Sequence, residues 1–512
     1  MSESSAMVVD GNAAAKLTLQ VPEELREQVG IADGELLIAR AYQSRPDVMS
    51  FQQRARRLCP EIVVRIVELE ELQTLEGQAD DDRAQRLLGS RAEVTGLLRR
   101  AVARGASDIH IRVGDARTSI WYRIHGELVP TLQVSRDDGL MLCSTIYQGM
   151  CDVSKPHYNP LRPQDARLGE DVVRELGLYG ARISTRPTDK GTLMVMRLLP
   201  GIKQMRPLEE MGFVPSQVEM MKAALWRRRG IMVLSGPTGS GKSTTLQAAM
   251  SWLLRETGQG IHLITAEHPP EYEIAGAVQT PIQVVDENDR GAVKRAWSEA
   301  ITNFMRLNPD YIMVGEVRDG ASASAAFDAA MTGHGVATTL HVTDATMIPA
   351  RLRELGIADD LLFDPQLLHL LVNQSLVPTV CPHCATPWPF GESGNTELEA
   401  RLQALVERTP GGRRETIRAR GEGCDSCHRG INGRIVIAEM IAPDYAFMEI
   451  FRTRGKHPAR RHWLTKLGGI SKSALLGQRI LDGTLDPALA ERETGTRIGD
   501  DEQLLASEES FS

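Results

Sequence analysis

The stretch Gly236-Pro-Thr-Gly-Ser-Gly241-Lys242-Ser243 decides the fold, because it matches the G-x-x-x-x-G-K-[ST] pattern of phosphate-binding loops. An apolar strand candidate, residues 231–234, leads into it, and a helix candidate, residues 242–255, leads out. Glycines let backbone N–H groups turn towards phosphate oxygens, and the start of a helix adds partial positive charge. A ligand-free glycine-rich turn is the weaker alternative. The predicted nucleotide-binding residues are Gly236, Pro237, Thr238, Gly239, Ser240, Gly241, Lys242, Ser243 and Thr244.

Two residues of this loop have distinct expected roles. Lys242 should reach the β- and γ-phosphates, because a lysine at this position of the pattern extends along the bound phosphate chain. The hydroxyl of Ser243 should bind Mg²⁺. The loop therefore predicts a nucleoside triphosphate with magnesium, and leaves the reaction open.

Strand candidates alternate with helix candidates across residues 230–380. The strand candidates are residues 231–234, 262–265, 311–314 and 336–340, and the helix candidates are residues 242–255, 293–305 and 322–331. This alternation predicts an α/β fold with a mostly parallel sheet and helices on both faces. The apolar stretch 367–377 is interpreted as a buried helix. Residues 91–200 carry one helical pattern and strand candidates at 109–113, 119–124, 181–184 and 193–199, which predicts a small α+β domain.

Two carboxylates follow strand candidates of the α/β region. Glu316 comes after residues 311–314, and Glu267 comes after residues 262–265. Ligands of open α/β sheets bind at the carboxyl ends of the strands, so either group could position water or support Mg²⁺. A helix N-cap or a solvated charge is the alternative, and it has more weight for Glu267. His334 and His341 flank the next strand candidate and could sense phosphate or bridge protomers.

Composition narrows the class of protein. The 512 residues predict three or four domains at roughly 100–200 residues each. The net charge of −8 argues against a dedicated duplex-DNA binder, which needs a concentrated basic surface. There is neither a secretory signal nor an uninterrupted apolar run of about 18 residues, so a cytoplasmic location is predicted.

Four of the seven cysteines form two C-x-x-C pairs. They are Cys381 with Cys384 and Cys424 with Cys427. Two such knuckles can supply the four thiolates of a closed tetrahedral zinc site. A helical segment at residues 397–407 would bring the pairs together. A redox dithiol or two chance pairs is the weaker alternative.

Taken together, these segments resemble the secretion ATPase family that powers type II secretion, type IV pilus biogenesis and related conjugative machines. The resemblance covers roughly residues 91–439. GPTGSGKSTTL (236–246) resembles the family's Walker A, TAEHPPEY (265–272) its Asp box, RLNPDYIMVGEVRD (306–319) its Walker B and TGHGVATTLHVTDA (332–345) its His box. ASDIHI (106–111), YRIHG (122–126) and RIST (182–185) resemble motifs of its first domain.

The resemblance implies an α/β protein with a RecA-like P-loop ATPase core preceded by a PAS-like α+β domain, assembled as a ring of six. It implies that Arg182 and Arg197 reach the nucleotide, that Glu316 activates water, and that Glu267 lies on the metal side. His341 joins this catalytic set through the His box. ATP, Mg²⁺ and Zn²⁺ are the expected cofactors, and the zinc element places the chain in the assembly-type branch. The sequence departs from the family pattern at His268 and His125, which replace aspartates, and at Asn308.

The expected organisation is a partner-binding region (1–85) with a linker at 78–83, a PAS-like domain (86–200), a hinge (201–215), an ATPase domain (216–498) with a zinc element (381–427), and an acidic tail (499–512). The expected function is a hexameric motor for pilin polymerisation or type II-like secretion. Its expected location is cytoplasmic, peripheral to the inner membrane through a platform protein, without nucleic acid. A zinc-containing nucleic-acid motor and an ATP-binding regulatory scaffold are the alternatives.

Overall fold

The computed structural model describes residues 25, 28–32, 35–58, 62–69, 91–152, 157–201, 206–283, 289–501 and 505. The predicted linker at 78–83 lies outside the described residues, as do residues 202–205 of the predicted hinge and nearly all of the tail after residue 501. The chain divides into two compact units, residues 1–99 with 140–150 and residues 100–139 with 151–512. Among the described residues, no helix combines the length and the apolar character needed to cross a bilayer.

The smaller unit contains a sheet with one covering helix. Its strands and first helix are β1 (Val29–Ala32), β2 (Glu35–Ala39), α1 (Pro46–Leu58) and β3 (Val63–Val67), and the chain then enters α2 (residues 91–103). Strand β2 pairs antiparallel with β1 and parallel with β3, and α1 supplies the crossover that a parallel pair requires. Val48, Phe51 and Ala55 of α1 share one helical face and pack in a core with Leu36 and Ile38.

Within the described part of the larger unit, seven strands form an antiparallel sheet in the order β6-β5-β4-β10-β9-β8-β7. This region comprises β4 (Ala106–Val113), β5 (Arg117–Ile124), β6 (Glu127–Ser135), the first four residues of α3 (Arg136–Ser144), β7 (Cys151–Asp152), β8 (Gln164–Leu168), α4 (Glu170–Glu175), β9 (Leu178–Thr188) and β10 (Gly191–Pro200). The four predicted strands of this region all lie within these bounds. Every second residue of β5 is buried, as expected for a sheet that covers a core with one face.

The rest of the larger unit is built on a second sheet. Its first elements are α5 (Pro215–Trp226), β11 (Gly230–Ser235), α6 (Lys242–Glu256), β12 (Leu263–Glu267), β13 (Val278–Pro281), α7 (Arg290–Phe304), β14 (Tyr311–Val314), α8 (Gly320–Met331), β15 (Gly335–Leu340), α9 (Met347–Glu354) and α10 (Asp359–Leu362). The later ones are β16 (Leu368–Val380), β17 (Thr386–Pro387), α11 (Thr396–Arg408), β18 (Arg418–Ala419), β19 (Ile431–Ile441), α12 (Tyr445–Arg454), α13 (Lys456–Lys466), α14 (Lys472–Leu481) and α15 (Pro487–Thr494).

The strand order of this second sheet is β13-β12-β14-β15-β11-β16-β19, and all neighbours are parallel except β16 and β19. Alternate residues of β11 pack in two separate hydrophobic cores, one on each face of the sheet. Ile231 and Val233 pack in a core that includes residues of α7 and α8, whereas Met232 and Leu234 pack with α5 and α6. The predicted mostly parallel sheet with helices on both faces is therefore confirmed.

One element was predicted wrongly. The apolar stretch 367–377, interpreted as a buried helix, forms most of strand β16. It lies between β11 and β19 and is buried on both faces, so its sequence lacks the polar alternation that identifies a half-exposed strand. A continuous apolar run of this length fits a buried helix and a buried strand equally well.

Candidate nucleotide-binding site

The phosphate-binding loop joins β11 to α6 in a backbone conformation that requires glycine. Gly236, Gly239 and Gly241 have φ angles of 147°, 80° and 84°, which other residues rarely adopt. A Cβ atom at Gly236 would lie 2.3 Å from the carbonyl oxygen of Gln374. The Nζ of Lys242 donates hydrogen bonds to the carbonyl oxygens of Gly236 at 2.8 Å and Pro237 at 3.0 Å. The lysine is therefore folded back into the loop.

A cavity of about 810 Å³ opens beside this loop, which is within the usual size range of small-molecule sites. Residues 238–244 line it, and so does Tyr272, whose hydroxyl lies 2.9 Å from the Oγ1 of Thr244. Burial lowers the pKa of Lys242, and the carboxylate of Glu316 opposes that effect. The predicted site residues Lys242, Ser243, Glu267, Glu316, His341, Arg182 and Arg197 all line this one cavity.

Glu316 follows β14 at its carboxyl end and is held by two neighbours. Its Oε2 lies 2.8 Å from the Nη2 of Arg318, and its Oε1 lies 3.1 Å from the Nε2 of His341. Burial and the nearby Lys242 lower the pKa of His341, which keeps the imidazole neutral near pH 7. The contact with Glu316 assigns the single imidazole proton to Nε2. His341 therefore orients the carboxylate as a hydrogen-bond donor.

Glu267 ends β12, the parallel neighbour of β14, so both carboxylates lie at the same edge of the sheet. Its Oε1 accepts hydrogen bonds from the Oγ1 of Thr265 at 2.7 Å and the Nε2 of Gln279 at 3.0 Å. Burial raises the pKa of Glu267, and these two hydrogen bonds oppose the change. An adjacent cation would compensate the burial of this carboxylate.

Two arginines of the antiparallel sheet reach the same cavity from adjacent strands. Arg182 of β9 and Arg197 of β10 are direct cross-strand partners. Arg182 donates from Nη2 to the carbonyl oxygen of Pro269 at 2.7 Å, and its Nε has no hydrogen-bond partner among the described residues. Arg197 donates from Nε to the Oδ1 of Asp108 at 3.1 Å. Two like charges directly opposite each other destabilise a sheet, and a bound polyanion would relieve that repulsion.

Comparison with known proteins identifies the family. Residues 89–476 match the family model of the Type II/IV secretion system protein. The chain belongs to this family. It is 32% identical over 372 residues to the Type II secretion system ATPase E of Vibrio cholerae serotype O1, an alignment that covers 72% of this chain and 68% of that one. It is also 32% identical over 377 residues to the Type IV pilus assembly ATPase PilB of Thermus thermophilus, covering 72% of this chain and 38% of that one.

The fold of this secretion ATPase is similar to that of the Yersinia pseudotuberculosis ATPase DotB. The TM-score is 0.54 at 20% sequence identity, and the match covers 79% of this chain and 94% of that one. The predicted family, the α/β fold with a RecA-like core and the classification as an ATPase are confirmed.

Sequence reasoning missed several residues of the site. Arg434 was not among the predicted site residues, yet it lines the cavity, where burial lowers its pKa. Asp108 is 5% exposed and holds Arg197. Gln374 donates from Nε2 to the carbonyl oxygen of Ser240 at 2.8 Å and so supports the loop from below. The motif that contains Asp108 does not show its contact with Arg197, and nothing in the sequence around Arg434 or Gln374 relates these residues to the phosphate-binding loop.

Three of the four histidines that sequence analysis singled out lie in or near the ATPase core, at different places. His341 contacts Glu316, and His268 also lines the cavity. His334 lies before the other end of β15, where its Nδ1 is 2.9 Å from the carbonyl oxygen of Ala329 in α8. Of these three, His341 and His268 are therefore in a position to contact a bound nucleotide.

The two C-x-x-C pairs meet as one four-cysteine cluster. The Sγ atoms of Cys381 and Cys424 are 3.8 Å apart, and the Sγ of Cys427 lies 3.7 Å from those of Cys384 and Cys424. A tetrahedron with Zn–S bonds of about 2.3 Å has edges of about 3.8 Å. These distances fit a single zinc ion and are far too long for disulfides. The predicted helix between the pairs is α11.

Proposed function

We propose that this secretion ATPase is a hexameric motor that couples ATP hydrolysis to movement of the antiparallel sheet relative to the parallel sheet. The observation that carries the proposal is the single cavity within one chain, lined by Arg182 and Arg197 from one sheet and by Lys242 and Glu316 from the other. A γ-phosphate bound there would attract both arginines. Its loss after hydrolysis would free them, and so change the relative position of the two sheets.

Each side chain has a proposed part in the chemistry. Lys242 exchanges the carbonyl oxygens of Gly236 and Pro237 for the β- and γ-phosphate oxygens. Glu316, oriented by His341, positions the attacking water and accepts its proton. The Ser243 hydroxyl and Glu267 would hold Mg²⁺, whose charge neutralises the phosphates as negative charge develops. Arg182 and Arg197 stabilise the same charge from the opposite wall.

The cysteine cluster supports a structural zinc ion. Cys381, Cys384, Cys424 and Cys427 supply four sulfur ligands, which complete a tetrahedron and leave no position for water. The ion would hold together the segments before α11 and after β18, which belong to the predicted zinc element at 381–427. The proposed role is to fix the fold of this element.

The proposed location and partners are inferred from the relatives. We assign the chain to the cytoplasmic face of the inner membrane, as a hexamer that a membrane platform protein recruits. Pilin polymerisation and type II-like protein secretion are the two candidate outputs, because the relatives include a pilus assembly ATPase and a secretion ATPase. Residues 1–85 are the proposed partner-binding region. The proposed domains are otherwise the PAS-like domain 86–200, the hinge 201–215, the ATPase domain 216–498 and the tail 499–512.

Glu316→Gln tests the proposal. The amide cannot accept the proton of water, so ATP turnover should fall at least about 100-fold while ATP binding persists. Turnover by the purified hexamer and binding of a fluorescent ATP analogue measure the two effects. Glu299→Gln, an exposed carboxylate of α7, is the matched control and should turn over ATP like the wild type.

Three outcomes would contradict the proposal. A wild-type hexamer without hydrolysis would favour the regulatory scaffold. Unchanged turnover in Glu316→Gln would exclude this residue as the catalytic carboxylate. Turnover that rises strongly and salt-dependently on addition of DNA would favour the nucleic-acid motor.

A further inference from the structure

Lys472 is a buried cation that none of the predicted roles uses. It begins α14 and is only 4% exposed. Its Nζ donates hydrogen bonds to the Oδ1 of Asn373 and, at 3.1 Å, to the Oγ of Ser375. Its backbone N–H donates to the Oε1 of Glu439 at 3.2 Å, and Glu439 is in turn bound by Arg460. Burying an ammonium group costs free energy, so packing alone does not account for a lysine at this position.

The partner of Lys472 connects two parts of the ATP site. Asn373 is fully buried on β16, and its Nδ2 donates to the Oγ of Ser235 at 2.8 Å and to the carbonyl oxygen of Val342 at 2.9 Å. Ser235 is the last residue of β11, directly before Gly236 of the phosphate-binding loop. Val342 directly follows His341, the residue that orients Glu316. One amide therefore bridges the base of the loop and the His341 segment.

The ammonium group, the carbonyl oxygen of Val342 and the hydroxyl of Ser235, which itself donates to Val372, together determine which way this amide points. An amide side chain has a donor end and an acceptor end, and its orientation is set by its neighbours. Because the Nζ of Lys472 can only donate, it requires the amide oxygen, and this turns the NH₂ group towards Ser235 and Val342. Without the ammonium group, the buried amide oxygen would lose its charged donor, and any rotation that relieved this loss would place the oxygen against the carbonyl oxygen of Val342. The repulsion would displace the backbone beside His341.

From this geometry we propose that Lys472 is a positioning residue for ATP hydrolysis, which acts through Asn373 on His341. The contact places α14, in the C-terminal helical part of the chain, in direct connection with the reacting end of the site. The inference rests on the proposed role of Glu316 and His341. It adds a residue that touches neither the nucleotide nor the carboxylate.

Lys472→Met tests this inference in the full-length hexamer. Methionine fills a similar volume without a donor, so kcat for ATP hydrolysis should fall about tenfold through misplacement of His341. The dissociation constant of a fluorescent ATP analogue should change less than about threefold, because the loop glycines fix the phosphate-binding amides independently. Asn373→Leu should give the same pattern. The double variant should be no worse than either single variant, since both changes remove one connection.

Ser375→Ala is the matched control within the network. It removes the second hydrogen bond of Lys472 and leaves Asn373 intact, so kcat should stay within about twofold of the wild type. An equal loss in Ser375→Ala would overturn the inference, because any disturbance of the buried network would then suffice. Additive losses in the double variant, or full activity in Lys472→Met, would overturn it as well. If Lys472→Met does not fold, the contrast between Asn373→Leu and Ser375→Ala decides.

If the proposed function itself is wrong, the same assays give a different result from the one that would refute the role of Lys472. A wild-type hexamer without ATP turnover would remove the reaction on which the inference rests. Active wild type together with active Lys472→Met would remove only the role of Lys472. The two failures are therefore distinguishable in one set of assays.

Discussion

Asp108 illustrates how a single buried carboxylate prepares the site for its substrate. It accepts a hydrogen bond from Arg197 and lies 3.7 Å from the Nε of Arg123. Asp108→Asn keeps the shape but removes the charge that holds Arg197, so kcat should fall about fivefold to tenfold. Steady-state ATPase assays measure the change. Asp115→Asn, an exposed carboxylate in the turn between β4 and β5, is the control, and an equal loss there would refute the role of Asp108.

His369 makes stability depend on pH. It is 4% exposed on β16, and burial together with Arg227 lowers its pKa to about 3. An unfolded histidine titrates near pH 6.5, so the unfolded state binds more protons between pH 6.5 and about 3, and stability falls as the pH drops through that window. From pH 7 to pH 5 the free energy of unfolding should fall by about 2 kcal/mol from this residue alone.

Chemical denaturation of the wild type and of His369→Leu at both pH values measures this contribution. The non-titrating variant should lack the histidine part of the loss, and every other acid-sensitive group is common to both proteins. Identical losses in the two proteins would show that His369 is not held neutral by the fold.

The site residues that could be predicted from the sequence are those that belong to a short motif with fixed spacing. The spacing of Gly236, Gly241 and Lys242 is dictated by the phosphate chain itself, so it is readable without a fold. Asp108, Asn373 and Lys472 act through partners distant in sequence, at separations that only the folded chain defines. The motif ASDIHI contains Asp108 but does not show which arginine it binds. No local pattern distinguishes Asn373 and Lys472 from ordinary strand and helix residues.

Among the elements, the strands that carry the loop and the two carboxylates were predictable because turns and polar residues mark their ends. Strand β11 ends directly before the glycine-rich loop, and β14 ends directly before Gly315 and Glu316. The sequence of β16 predicted a helix because the strand is thirteen residues long, which is unusual for a strand, and mostly apolar. Its polar residues, which include Asn373 and Gln374, make the contacts of a central strand and do not follow the spacing of a helix face.

The cysteine cluster predicts a zinc content of about one ion per chain. Cys424→Ser should lower this to well below half an ion, because three thiolates hold zinc much more weakly than four, and should lower the thermal unfolding temperature of the zinc element. Metal analysis by mass spectrometry and thermal unfolding measure both effects. Cys151→Ser, outside the cluster, is the control; zinc-free wild type, or equal loss in both variants, would contradict the assignment.

At the scale of the whole molecule, an ion pair joins the zinc element to the antiparallel sheet. Arg420 donates from Nη1 and Nη2 to the two carboxylate oxygens of Glu127 at 2.5 and 2.9 Å, and both side chains are about three-quarters buried. A double-mutant cycle of Arg420→Gln and Glu127→Gln should give a coupling free energy of about 1 kcal/mol. Denaturant unfolding measures it.

The exposed pair Arg174 and Glu170 is the control for that cycle, because its side chains are 74% and 82% exposed. It should show almost no coupling. Equal coupling in the two pairs would mean that burial does not strengthen the contact with the zinc element. The pairing of Arg420 with Glu127 was not predictable from sequence, since 293 residues separate its members.

Strand β16 restricts where insertions and deletions can be accepted as the chain evolves. Asn373 and Ser375 face Lys472, whereas Gln374 between them faces the phosphate-binding loop. Side chains of a strand alternate between its two faces, so a one-residue deletion ahead of Asn373 would exchange the two sets of contacts at once. The turn at residues 409–413 between α11 and the next helical turn has no such alternation to preserve. Relatives are therefore expected to differ in length at this turn. The number of residues in β16, from Leu368 to Val380, is expected to stay fixed.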